Sequence, residues 1–175
     1  MKKAACCLMV GLCAAALLTA SPSLAQGRVF TDAAKAQWST VNGYVLQSAE
    51  LMPEADYAFK PTPEIRSFGQ LVGHIADANV GICAMAIGEK RDFGTAEKTK
   101  TTKADLVAAL KESAAYCDGA FAKINDTTGA ETVSLFGSQM PKLSAMTFNT
   151  NHVWEHYGNI VTYMRLKNMV PPSSR

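Results

Sequence analysis

The chain has 175 residues, 48% hydrophobic and 18% charged, with 17 Lys and Arg against 15 Asp and Glu for a formal net charge of +2. That length fits one domain with a real core and does not comfortably fit two. Without the N-terminal Lys2 and Lys3 the balance is 15 bases to 15 acids, which gives no electrostatic case for nucleic acid or anionic lipid as a partner.

Lys2 and Lys3 precede an apolar run from Ala4 to Ala20, and Ser21-Pro22-Ser23-Leu24-Ala25 then leads to Gln26. This is the charged, apolar and small-residue order of a secretory signal peptide. The apolar run falls short of the roughly 20 residues of a bilayer span, and Gly11-Leu12 before Cys13 does not form a lipobox. The expectation is a signal peptide over 1–25 and an exported domain over 26–175, periplasmic or secreted, with no membrane association after cleavage. Cys6, Cys7 and Cys13 leave with the leader. Cys83 and Cys117 remain in an oxidising compartment, and an even pair there is a disulfide candidate; two buried free thiols are the alternative.

No repeat or low-complexity tract interrupts the rest. A first helix is expected from about Thr31 to Met52, capped by Thr31 or Asp32 and ended by Pro53. Thr62-Pro63-Glu64 reads as the start of a second, a capping hydroxyl followed by proline at the first helical position, running to about Ile87 before Gly88. Phe68, Leu71, Val72, Ile75, Ile82 and Met85 follow helical spacing within it. A charged stretch, Glu89 to Thr101, leads to a third helix at Thr102-Lys103-Ala104-Asp105, close to a capping box. Asn125 to Gln139 reads as a long connection with a short extended piece at Thr132–Phe136, and a fourth helix runs from about Pro141 to Lys167. Four amphipathic helices and no sustained period-two alternation predict an all-α four-helix bundle, with a long crossover connection before the last helix.

The three histidines of the chain are His74, His152 and His156. His152 and His156, four apart, share a helix face with side chains about 5–6 Å apart, a spacing that suits chelation of one metal ion by two imidazoles. Asn149, His152, His156, Asn159 and Tyr163 form a polar stripe beside the apolar Met146, Val153, Tyr157, Ile160 and Met164. Buried polar groups left unpaired cost roughly 1–3 kcal/mol each, so such a stripe calls for a partner. His74 is central in the second helix. Three imidazoles leave coordination positions open, as a catalytic or ligand-binding metal requires. Zn, Ni, Fe and Mn all accept such donors. Asp77 and Glu155 are the candidate acid/base or supporting carboxylates. His152-Val153-Trp154-Glu155-His156 also fits the inverted zincin pattern, but no acid follows His156 to complete a peptidase zinc site.

Three segments carry a family likeness: Pro61 to Ala76 around Gly73-His74-Ile75-Ala76; Asn151-His152-Val153-Trp154-Glu155-His156-Tyr157-Gly158-Asn159; and Tyr163 to Lys167 with the closing Val170-Pro171-Pro172-Ser173-Ser174. Together they resemble the DinB-like superfamily of metal-dependent enzymes, over nearly the whole exported domain. The resemblance implies a four-helix bundle with a crossover and a metal site at His74, His152 and His156. Thiol S-transferases and a thiol-dependent maleylpyruvate isomerase are among the relatives it implies. The expected function is an exported metal-binding enzyme of hydrolase or thiol-transferase type acting on a small molecule. The alternative is a non-catalytic metal-dependent small-ligand-binding protein of the periplasm. A homodimer stays open.

Overall fold

The computed structural model describes residues 27–175; the expected signal peptide lies outside the described residues. Helices α1 (Val29–Leu51), α2 (Phe68–Ala86), α4 (Lys103–Ala122) and α5 (Lys142–Leu166) build the bundle, and a short α3 (Ala96–Thr99) lies on α2. Each of α1 and α2 packs against both α4 and α5, so α1 stands diagonally across the core from α2, and α4 from α5. A crossover connection produces this arrangement; simple hairpins do not. Among the described residues no helix is long and apolar enough to cross a membrane.

The core is one cluster. Trp38, Val41 and Val45 of α1 meet Phe68, Val72, Ile75 and Ile82 of α2, Leu110 and Phe121 of α4, and Met146, Val153, Ile160 and Met164 of α5, all at most 2% exposed. Trp38 is a core residue whose indole N–H donates to Asp118 Oδ1 at 3.2 Å, whereas Trp154 is 38% exposed beside Tyr44. The long connection after α4 contains an antiparallel hairpin, β1 (Thr132–Leu135) with β2 (Ser138–Pro141), Leu135 facing Ser138 in register. The expected extended piece is its first strand.

Two helix starts differ from the sequence expectation. Helix α1 begins at Val29, and Thr31 lies inside it. Its free amides are met from far along the chain: Asp126 accepts from Phe30 N, Thr31 N and Thr31 Oγ1. Helix α2 begins at Phe68, not at Pro63, because Ser67 and Gln70 form a capping box. Ser67 Oγ accepts from Gln70 N at 3.2 Å, and Ser67 N donates to Gln70 Oε1 at 2.9 Å. Two orphan donors are satisfied at once, which the Thr62-Pro63 turn cannot match. Ser67→Ala is expected to cost about 1 kcal/mol, roughly 2–4 °C in Tm for a domain of this size. An unchanged thermal midpoint would show that the box contributes nothing.

The C-terminal segment is tied back to α5. Tyr157 Oη donates to Ser173 Oγ at 2.8 Å and accepts from Ser173 N at 3.0 Å. The Val170-Pro171-Pro172 tail is thereby fixed against Tyr157.

Candidate metal centre

His74 projects from the middle of α2, and His152 and His156 from successive turns of α5, the helix packed against it. One ring nitrogen from each of the three lies within 4.8 Å of the others. Ring centroids are 4.3 Å apart for His152 and His156, 4.8 Å for His74 and His156, and 5.3 Å for His74 and His152. The Nε2 atoms of His152 and His156 face each other at 2.9 Å. Two imidazole nitrogens on one first-row metal, each 2.0–2.1 Å from it, stand roughly 2.9–3.4 Å apart for bond angles between square and tetrahedral. The pair is therefore set at chelating separation.

Burial also fits the pair to a metal. His156 is buried and His152 half-buried, and the Nδ1 atoms of both are enclosed without a hydrogen-bond partner among the described residues. The polar outlet of each ring is the point where the Nε2 atoms converge. Desolvation, followed by the neighbouring imidazoles His152 and His74, pushes the His156 pKa down to about 4. Desolvation, then His74, lowers that of His152 as well. Both rings are neutral near pH 7, the state in which imidazole ligates a metal.

The two candidate carboxylates are placed differently. Asp77, a candidate for acid/base work, is engaged elsewhere: its Oδ1 accepts from Ala96 N at 2.7 Å and its Oδ2 from Glu97 N at 2.9 Å. It caps the first turn of α3, so both of its oxygens are engaged with backbone amides and not with the histidines. The carboxylate at the histidines is Glu97. Its Oε2 lies 3.1 Å from His74 Nδ1, and its Oε1 accepts from Arg66 Nε at 2.8 Å. Burial works to raise the Glu97 pKa, but the Arg66 guanidinium and His74 outweigh it and hold the carboxyl below its ordinary value. Nothing in the sequence singled out Glu97, because it sits 23 residues from His74 in the charged stretch read as a loop.

A cleft of about 480 Å³ opens beside His156, with Arg66, Glu97, Glu155, Asn159 and Tyr163 on its walls. Glu155 is exposed there. Tyr163 Oη donates to the carbonyl of Arg66, fastening the α1–α2 connection to α5. Cys83 and Cys117 are joined in a disulfide between α2 and α4, with Cα atoms 5.5 Å apart.

The sequence model of the DinB superfamily matches residues 37–160. No curated protein matches the chain. Among solved structures, a DinB-like protein from Bacillus cereus superposes with a TM-score of 0.69 at 15% identity, over 81% of this chain and 95% of that one. The mycothiol-dependent maleylpyruvate isomerase superposes with a TM-score of 0.62, and a histidine-to-alanine mutant of it with 0.63, each at 14% identity. In both cases 74% of this chain is covered but only 60% of the isomerase's length. The matched span includes all three histidines, the whole of α2, α3 and α4 and most of α1 and α5, and the chain belongs to the DinB superfamily.

Proposed function

We propose that this protein is an exported metal-dependent enzyme acting on a small molecule, with His74, His152 and His156 holding one divalent ion. The observation that carries the reading is the convergence of three imidazoles, two of them with facing Nε2 atoms, beside an open cleft. When bound, a divalent cation supplies Lewis acidity to an oxygen or sulfur donor of the substrate. The chain's own residues supply the rest. The neutral imidazoles of His152 and His156 present lone pairs without needing to lose a proton. Glu155, exposed on the cleft wall, is placed to take up a proton from an incoming group. Arg66 lines the cleft with Nε on Glu97, and its guanidinium has further N–H donors to offer a polar substrate group.

The reaction types this set supports are hydrolysis and thiol transfer. The isomerase among the structural neighbours is described as mycothiol-dependent, which motivates the second. Export motivates the first, because low-molecular-weight thiols are kept mainly inside the cell. Exported protein loaded with zinc, nickel, iron or manganese is expected to turn over members of an ester, amide, lactone and thiol-conjugate panel. Dependence on an added thiol separates the two reaction types. Saturable ligand binding with no turnover across the panel would replace the enzyme by a binding protein, and metal content at background would remove both.

A further inference from the structure

The geometry points to Glu97 as the residue that positions His74 for ligation, held in place by Gly73, Asp77 and Arg66; the inference rests on the metal reading above. Four contacts fix this residue, two on its carboxylate and two on the backbone that carries it. Its Oε2 sits 3.1 Å from His74 Nδ1. A carboxylate oxygen accepts, so His74 Nδ1 is the donor of this bond, and Nε2 is the atom left for a ligand-binding role. Its Oε1 is held by Arg66 Nε at 2.8 Å, which keeps the carboxylate ionised and prevents it from turning away. Its own backbone N–H is held by Asp77 Oδ2 at 2.9 Å, and the preceding amide by Asp77 Oδ1 at 2.7 Å.

The fourth contact is steric. A Cβ at Gly73 would lie 2.7 Å from both the Cα and the N of Glu97 and 3.0 Å from the carbonyl carbon of Ala96. These are backbone atoms, so any side chain at position 73 drives α3 away from α2. Gly94 is under the same constraint from the other side, since its Cβ would strike the Asp77 carboxylate. The run Gly73-His74-Ile75-Ala76-Asp77 thus has three functions within five residues. Gly73 admits the backbone of α3, His74 is the ligand, and Asp77 caps the helix that returns the orienting carboxylate. The stretch Glu89–Thr101 is in this respect part of the metal site, through one residue.

The test compares the exported protein with its Glu97→Ala, Glu97→Gln and Gly73→Ala variants, using zinc as the probe. Zinc affinity is read by competition with a chromophoric chelator, and the His74 tautomer by nitrogen-15 NMR of metal-free protein. Glu97→Ala is expected to weaken zinc binding by about 10–100-fold, the usual effect of losing an outer partner of a ligating histidine. It should also convert His74 from the Nδ1–H tautomer to the Nε2–H tautomer. Glu97→Gln, whose amide oxygen still accepts, should restore the tautomer and part of the affinity. Gly73→Ala should weaken zinc binding in the same direction without touching a ligand. If α3 served only to cover α2, Glu97→Ala would lower Tm and leave the tautomer unchanged, and that result overturns the proposal. A parent that binds no zinc refutes the functional reading, and the tautomer comparison then decides the role of Glu97 alone.

Discussion

Replacing His156 by alanine is expected to reduce metal in the exported protein from about one equivalent to background, while the helical far-ultraviolet signal persists. His156 is the most enclosed of the three imidazoles, and its Nε2 faces His152 Nε2 at 2.9 Å. Its loss removes a direct donor and leaves two separated rings on two helices. The effect should therefore exceed the roughly 10–100-fold that follows loss of an outer partner such as Glu97. It should also abolish any turnover found with the loaded protein. Elemental analysis of tag-free parent and variant decides the matter. Equal metal in both would show that the ion, if any, lies elsewhere, and the function proposed above would fall with it.

The outline of both fold and site was legible in the sequence, for identifiable reasons. Helix periodicity located all four long helices because each buries one continuous apolar face, as Leu71, Val72, Ile75 and Ile82 do on α2. The four-residue spacing of His152 and His156 needs only a helix to bring the rings together. Their meeting with His74 rested on less, three histidines in all with His74 central in the second helix, and the resemblance strengthened it, because 78 residues of chain separate His74 from His152. What escaped is non-local or competes with a stronger local signal. Asp126 caps α1 from 95 residues away, and no local pattern announces that. Thr62-Pro63 is a good helix start taken alone, but the reciprocal bonds of Ser67 and Gln70 win. Asp77 looked like a site carboxylate because it lies one turn from His74. The side chain points instead at two backbone amides whose positions depend on how a distant loop folds.

Removing the disulfide is the second change with a large expected effect. Cys83 and Cys117 are fully buried and close a loop of 34 residues between α2 and α4. On the chain-entropy model, opening a loop of that size destabilises the folded state by about 3–4 kcal/mol, or roughly 10 °C in Tm at this chain length. The sulfurs lie in a buried polar layer. Asn149 Nδ2 donates to Asn79 Oδ1 at 3.0 Å and to Cys83 Sγ at 3.4 Å, and Asn79 Nδ2 donates to Ser113 Oγ at 3.3 Å. A Cys83→Ser, Cys117→Ser double variant adds hydroxyls to that layer, so Cys83→Ala with Cys117→Ala is the cleaner comparison. Cys83 stands nine residues beyond His74, about 13 Å along the helix axis, so the alanine pair is expected to keep its metal while losing thermal stability. Two alkylatable thiols in freshly isolated parent, or a double variant that melts with the parent, would mean that the bond does not hold this bundle together. A fall in metal content matching the fall in Tm would instead mean that the packing of α2 on α4 sets the position of His74, making the disulfide a support of the site as well as of the fold.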